Sequence, residues 1–281
     1  MGTSASSKGP GSGVPFDPPW LDDIAPLLPG GGLPRPDEED SETLEQPKQD
    51  PVRHEEIAPS KRFLNARRQL GDFARTGDQV SLQKSLGHYS RTGMGGAHKL
   101  ASRMRTSTRS AANLFGVLQA AREGTDSTIN DWISSLTDRN ASVRDIVDEI
   151  IRYVAPGGGS IEESSCRDSM AQALENLLEQ SPNIDLLHLD DDDIWMLTES
   201  FLGFEASNRL FFDAGQVFEN PALSTYDIVI RVNEMQDYVK AEISAQVESL
   251  RQKTPTANPK QLQLLLQTAV KNTFLVYEGT L

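Results

Sequence analysis

The stretch that decides the fold class of this chain is residues 142–154, Ser-Val-Arg-Asp-Ile-Val-Asp-Glu-Ile-Ile-Arg-Tyr-Val. Its apolar residues recur at intervals of three and four, and charged residues occupy most positions between them, which is typical of an amphipathic α-helix. Ser142 is a favourable N-cap, and Pro156 with the three glycines that follow it ends the helix. The apolar stripe consists of Val143, Ile146, Val147, Ile150 and Ile151.

The same periodicity extends from Ser60 to the end of the sequence. Ser60 is expected to cap the first helix, Asp78 to open the second, and the glycine-rich residues 92–96 to end it. Further helices are predicted at 97–123, from 126 or 127, at 161–180, at 190–218 with a possible break near Gly203, at 224–253 and at 259–277. Only residues 184–189 resemble a strand, and one short strand cannot form a sheet. The fold class is therefore all-α, with a multi-helix domain over residues 60–281 and a possible sub-boundary near 156–160.

Residues 1–59 have the composition of a long disordered tail that precedes the helical domain. The first fifteen are rich in Gly, Ser and Pro, so they bury little apolar surface and are expected to stay flexible. Between Asp17 and Glu56 there are twelve acidic residues and three basic ones. Such a segment repels itself and stays extended, which predicts an acidic spacer between the N-terminus and the helices.

An apolar island interrupts this tail at Phe16-Asp17-Pro18-Pro19-Trp20-Leu21. Aromatic residues beside a Pro-Pro pair are typical of a short linear motif that docks into a groove. The groove would belong either to a partner or to the helical domain of the same chain. The alternative is a solvated apolar cluster that has no partner.

Composition narrows the classes of function. The net charge of −14 argues against a surface that coats nucleic acid, because such binding needs a positive face. Cys166 is the only cysteine, which excludes an internal disulfide and a cysteine-built zinc site. No run of eighteen apolar residues predicts a membrane span, and the N-terminus lacks the apolar core of a secretory signal. We therefore expect a cytoplasmic protein.

Four consecutive acids at Asp190–Asp193 raise the question of a metal site. Consecutive side chains point in different directions, so they cannot all ligate one Mg²⁺ or Ca²⁺ ion. Carboxylates at the start of a helix instead accept hydrogen bonds from its free N–H groups. We interpret the run as a helix cap and predict no metal site.

The stretch from Gln79 to Arg122 contains seven basic residues and no acid, in contrast with the rest of this acidic chain. Within it a glycine-rich turn leads into a helix start, an arrangement that can bind an anion. Three interpretations stay open: a docking surface for the acidic tail or an acidic partner, a solvated helix face, and a phosphate or nucleic-acid site. The candidate residues of this docking surface are Arg91, Gly93, Gly95, Gly96, Lys99, Arg103, Arg105 and Arg109.

No sequence motif of a known catalytic centre is present. The Gly-x-Ser-x-Gly, His-Glu-x-x-His, Cys-x-x-Cys and dinucleotide-binding patterns are all missing. A catalytic triad assembled from distant residues would leave no such motif in the sequence. We nevertheless predict that the protein is not an enzyme and that it carries no cofactor.

The N-terminal residues offer a reactive group. A small residue after Met1 permits removal of the methionine, which exposes the α-amine of Gly2. Such an amine has a pKa near ~8 and is unhindered, because glycine lacks a Cβ. On a flexible tail it is able to enter the active site of another protein; otherwise it is the ordinary start of a disordered segment.

Two parts of the sequence resemble the QatB family of bacterial Qat anti-phage defence systems. One is the opening Met-Gly-Thr-Ser-x-Ser-x-x-Gly-Pro-Gly together with Pro-Pro-Trp at 18–20. The other is His88-Tyr89-Ser90-Arg91-Thr92-Gly93-Met94-Gly95-Gly96, which leads to Arg103. The resemblance covers both the tail and the helical domain.

The resemblance implies a set of partners and a modification. The partners are an ATPase (QatA), a synthase similar to 7-cyano-7-deazaguanine synthase (QatC, QueC-like) and, indirectly, a TatD-like nuclease (QatD). The synthase is expected to conjugate a 7-deazaguanine to Gly2 as a 7-amido group, or to Gly9 or Gly11 after cleavage. Recognition of the tail is assigned to Thr3, Ser4, Phe16, Pro18, Pro19 and Trp20. The resemblance thus implies a substrate and scaffold, and the alternative is a nucleic-acid sensor that uses the basic residues 79–122.

Overall fold

The computed structural model describes residues 58–155, 161–252 and 259–281. These residues form α-helices, one π-helix, one 3-10 helix and turns, and no strand occurs among them. The predicted all-α class is therefore confirmed. The predicted tail residues Gly2, Thr3, Ser4, Phe16, Pro18, Pro19 and Trp20, the acidic spacer before residue 58 and the possible boundary at 156–160 lie outside the described residues.

Phe63–Leu281 belong to one compact unit, and a second unit, Lys8–Arg62, is described only at its last five residues. In the first unit the described helices are α1 (Leu64–Thr76), α2 (Gln79–His88), a π-helix (Tyr89–Gly93), α3 (Ala97–Arg103), α4 (Arg105–Glu123), α5 (Ser127–Asp138), α6 (Val143–Val154), α7 (Ile161–Gln180), α8 (Asp191–Ala214), a 3-10 helix (Gly215–Glu219), α9 (Thr225–Arg251) and α10 (Pro259–Glu278).

Helix α8 is the centre of the packing. It contacts α4, α7 and α9, while α10 contacts α2, α3, α4 and α9. Both sides of α8 are apolar because it is enclosed by other helices, and Phe201, Leu202 and Leu210 are fully buried. The pair α5 and α6 packs more lightly, through contacts with α4 and α7.

Five of the described helices start at a side-chain cap. Asp78 accepts hydrogen bonds from Val80 N and Ser81 N, and Asp126 does the same for Thr128 N and Ile129 N. Ser142 forms a reciprocal capping box with Asp145. Asp190 accepts from Asp193 N at 2.8 Å, which confirms that the acidic run caps α8.

The first two helices depart from the predicted ends. Ser60 does not cap the first helix, because α1 begins at Leu64 with Phe63 at the N-cap position. The second helix does not stop before Thr92, since α2 continues as the π-helix to Gly93. The chain turns only at Gly95 and Gly96, whose φ angles of +79° and +105° favour glycine.

Three later expectations also fail. The predicted helix 97–123 is two helices, because Met104 leaves helical geometry at ψ 16° and is buried in the core. Residues 184–189 form turns and not a strand. Helix α8 passes through Gly203 without a break, since this glycine is where α9 crosses: a Cβ built there would lie 2.7 Å from Lys240 Cα.

Candidate functional site

The predicted anion-binding turn before α3 is occupied by a carboxylate of the chain itself. Glu278, at the end of α10, accepts hydrogen bonds from Ser90 Oγ at 2.6 Å and from Ala97 N at 2.7 Å. The glycine-rich turn thus does bind an anion, and that anion is part of the fold. Gly93 is buried against the ring of Phe63, so it has a packing role.

The basic side chains of residues 79–122 are spread over four helical elements. Arg103 donates to Met94 O at 3.2 Å, and Arg122 forms an ion pair with Asp191 at 3.1 Å. Arg91 is exposed on the π-helix, whereas Lys99 on α3 and both Arg105 and Arg109 on α4 are partly buried. Part of the basic stretch is therefore engaged in holding the fold together.

A buried carboxylate that the sequence does not single out lies at the centre of the molecule. Glu205 on α8 is 0% exposed and accepts four hydrogen bonds. Ser107 on α4 donates to Oε1 at 3.1 Å, and Ser165 and Ser169 on α7 each donate to Oε2 at 2.9 Å. Arg209, one turn further along α8, donates through Nε at 2.9 Å. This Glu205 network joins three helices.

Arg209 is the cation of the Glu205 network. Its side chain is 15% exposed and also lies 3.5 Å from Glu162 on α7. Burial lowers the pKa of Arg209, but the adjacent carboxylate of Glu205 outweighs this and the pKa is raised above its ordinary value. The guanidinium is therefore charged at all physiological pH values, and it pairs with the buried carboxylate of Glu205 through Nε.

Cys166 lies beside the same network. The thiol is buried, and its Sγ is 3.7 Å from Ser107 Oγ. Burial, together with the nearby carboxylate of Glu205, raises the pKa of Cys166 to about 12. Because the thiolate is the reactive form, this cysteine is inert at neutral pH.

A groove of about 610 Å³ opens to the surface between α7 and α8, and Arg209 forms part of its wall. Phe211 and Phe212, next along α8, line it and are 42% and 56% exposed. Asp168, from α7, lines it without forming a hydrogen bond or ion pair to another described residue. We call this feature the α7–α8 groove. It presents aromatic and carboxylate groups to solvent, a combination suited to recognition.

Asp213 also lines the α7–α8 groove. It accepts a hydrogen bond from Tyr89 Oη at 2.9 Å, and its backbone oxygen accepts from Arg67 Nη2 at 2.7 Å. Burial and the adjacent carboxylate raise the pKa of Tyr89 well above its ordinary value. Asp213 therefore connects the groove to α1, and the tyrosine serves as a hydrogen-bond donor there.

A second, smaller cavity of about 420 Å³ lies beside α1 and the 3-10 helix. Arg67, Arg68 and Arg75 line it, and the only carboxylate in its wall, Asp72, pairs with Arg75. Arg67 is bound to Asp213 O. Arginines outside the predicted stretch thus line a basic cavity.

The sequence did contain one signal for the α7–α8 groove. Neighbouring residues on an α-helix point about 100° apart, so both rings of an adjacent Phe-Phe pair are buried only where other helices cover both directions. Phe211-Phe212, which follows Leu210 near the end of α8, is such a pair. The Glu205 network gave no comparable signal, because its members are scattered along the sequence from Ser107 to Arg209.

Comparison with known proteins gives one match. The model of the family described as "Qat anti-phage system associated protein QatB" matches residues 95–277, which is more than half of the chain and includes α7 and α8. No curated protein and no solved structure matches the chain. Within the described residues, no helix is both long and apolar enough to cross a membrane. On the family match, the chain belongs to the QatB family of the Qat anti-phage system.

Proposed function

We propose that this chain is a non-catalytic subunit of the Qat defence system that serves as a substrate and scaffold. Family membership makes the other Qat components its partners. In the proposed role, the QueC-like synthase QatC conjugates a 7-deazaguanine to Gly2, and the helical domain binds the ATPase QatA. The TatD-like nuclease QatD is an indirect partner, which associates through QatC and QatA.

The scaffold role is supported by one observation: in the described helices, the buried carboxylate and the thiol contact other groups of the core. Glu205, the most buried carboxylate, is saturated by four hydrogen bonds from side chains of its own core. The thiol of Cys166 has a pKa of about 12 and is therefore protonated. These groups stabilise the helices, and what faces solvent in the α7–α8 groove is suited to binding.

The proposed modification is an amide synthesis at the N-terminus. The lone pair of the Gly2 amine attacks the carboxyl carbon of an activated 7-carboxy-7-deazaguanine. The activating group leaves with its bonding electrons, the nitrogen loses a proton, and a 7-amido linkage remains. The synthase ordinarily joins ammonia to such a carboxyl group, so a glycine amine replaces ammonia. The protein supplies the amine and no catalytic group.

Intact-mass spectrometry of the protein co-expressed with the synthase tests this step. We expect an adduct on the N-terminal peptide, and Gly2→Pro, which offers a secondary amine, abolishes it together with protection against phage. Gly9→Ala and Gly11→Ala are the matched variants that locate the acceptor. An N-terminus without an adduct in the presence of active synthase contradicts the proposal, whereas loss in Gly11→Ala alone moves the acceptor to Gly11.

Binding of the ATPase by the helical domain is tested separately. The full chain and the Gly2→Pro variant are each co-expressed with the tagged ATPase. We expect both to co-purify, because the binding surface lies on the helices and not at Gly2. Failure of the full chain to co-purify contradicts this part of the proposal and leaves the modification unaffected.

A further inference from the structure

We propose that the α7–α8 groove is the docking site for a basic segment of a partner protein that carries an apolar anchor residue. The inference rests on the proposed role of the helical domain as a binding surface. It adds the location of that surface and the chemistry of its ligand.

The aromatic pair supplies the first part of the argument. Phe211 is held in place, because its ring stacks on Phe218 at 5.8 Å and covers Gly215. Phe212 is 56% exposed and makes no ring contact with another described aromatic residue. Phe211 and Phe212 thus form an exposed aromatic surface beside a cavity. Binding partners commonly bury apolar surfaces of this kind.

The charges around the groove determine the sign of the ligand. Glu162, Asp168 and Asp213 line the cavity, and Arg209 is the only cation among its lining residues. The charge of Arg209 is already balanced by Glu205, which lies behind it in the core. The cavity wall is therefore net negative. A phosphate-rich ligand such as a nucleic acid or an anionic membrane surface would be repelled.

Arginine and lysine side chains fit this combination of groups. Their aliphatic stems pack on apolar surface while the charged end reaches a carboxylate, and a cation is also attracted to the face of an aromatic ring. Asp168, which has no described partner, and the exposed ring of Phe212 provide both contacts. The net charge of −14 steers a basic segment toward the protein from a distance.

The size of the groove limits how much of the partner it receives. A volume of about 610 Å³ is within the range of cavities that enclose a small ligand, and so it admits a few side chains and not a folded domain. We therefore infer an extended segment with one apolar residue against Phe211 and Phe212 and basic residues near Glu162 and Asp168.

Fluorescence anisotropy with the full chain tests the proposal. The probes are a labelled peptide that repeats Arg-Leu-Lys-Phe and its charge mirror that repeats Glu-Leu-Asp-Phe. We expect the basic peptide to bind, and Phe212→Ser to weaken its Kd about fivefold or more, as for a central contact residue. Asp168→Lys should weaken binding and reduce its dependence on salt.

Matched variants separate the groove from the general acidity of the protein. Tyr226→Ser removes an aromatic residue that is 74% exposed on α9, and Asp131→Lys reverses an exposed charge on α5. Both should bind the basic peptide as the unaltered chain does. Equal binding of both peptides, or equal loss in groove and control variants, overturns the proposal.

A second measurement checks for a different occupant and for the proposed function itself. If Phe212→Ser converts a dimer of the chain to a monomer in light scattering and leaves peptide binding unchanged, the groove pairs two copies and the proposal is wrong. Phe212→Ser should leave the N-terminal adduct intact in mass spectrometry. A chain that binds the peptide but acquires no adduct refutes the modification alone.

Discussion

Replacing Arg209 by methionine removes the cation of the Glu205 network while keeping most of the side-chain volume. The carboxylate of Glu205, which is 0% exposed, then loses its charge partner. Breaking a buried ion pair in this way costs about 3–5 kcal/mol, because the remaining charge is neither hydrated nor paired.

Two features place the expected loss of unfolding free energy in Arg209→Met near the lower end of that range. The three serine hydroxyls that donate to Glu205 stay in place at 2.9–3.1 Å and continue to stabilise the charge. The contact of Arg209 with Glu162 is long, at 3.5 Å, and Glu162 is half exposed, so its loss adds little. We expect about 3 kcal/mol, which for a unit of this size lowers Tm by about 6–12 °C.

Chemical denaturation of four proteins provides the assay: the unaltered chain, Arg209→Met, Glu205→Gln and the double variant. Each single change should be strongly destabilising, since each leaves one buried partner unmatched. The double variant should be destabilised by less than the sum, with a coupling of about 1.5 kcal/mol or more. A loss below about 1 kcal/mol in Arg209→Met, or strict additivity in the double variant, refutes the role assigned to this pair.

Four further expectations follow from single contacts. Gly203→Ala should lower the free energy of unfolding by about 1–3 kcal/mol in chemical denaturation, because the added Cβ would lie 2.7 Å from a backbone atom of α9. Gly116→Ala on α4 is the control: a Cβ there has nothing within 4 Å, so the change should be neutral or stabilising. Glu278→Gln should speed hydrogen exchange at the start of α3, whose first N–H it binds, and unchanged exchange would contradict that role. Burial raises the pKa of Glu199 on α8 to about 7. Between pH values of about 4.5 and about 7 the folded protein therefore holds a proton that the unfolded chain has lost, so Tm should fall as the pH rises through this range. Glu199→Gln should reduce this decline. Cys166, with a pKa of about 12, should react with a thiol reagent at neutral pH only after unfolding, and fast reaction of the native protein would refute its burial.

The helix starts were predictable because a cap is a local arrangement. Asp78, Asp126, Ser142 and Ser224 each bond to an N–H group two or three residues ahead, so the signal lies within one turn of the sequence. The apolar periodicity that defines the all-α class is equally local.

The failures concern positions where another helix decides the outcome. Gly203 looked like a break because glycine weakens helices, yet α9 needs that position free of a side chain. Met104 looked like the middle of a long helix, and its burial in the core accompanies the break there. Neither effect is visible without knowing which helices touch.

The candidate site was predictable only in part, for the same reason. The sequence predicted an anion at the glycine-rich turn from the tail, a partner or a phosphate, and the structure instead has Glu278 of α10 there. Glu278 is 188 residues away from Ser90, and no local pattern connects the two. The α7–α8 groove had a signal in Phe211-Phe212, whereas the Glu205 network depends on serines from two other helices. Gly2 and the Pro-Pro-Trp motif lie outside the described residues, so the roles assigned to them stay predictions.

Helix α10, which carries Glu278, also matters for how the protein folds during its synthesis. Helix α10 packs on α2, α3, α4 and α9, and its Phe274 and Tyr277 complete the aromatic contacts with Tyr89 and Tyr238. When only the helices up to α9 have emerged from the ribosome, the core therefore lacks the helix that covers α2, α3, α4 and α9. The apolar faces of α2, α3 and α4 stay exposed to chaperones and proteases until α10 has emerged. We therefore expect a chain interrupted before α10 to expose apolar surface that favours its degradation.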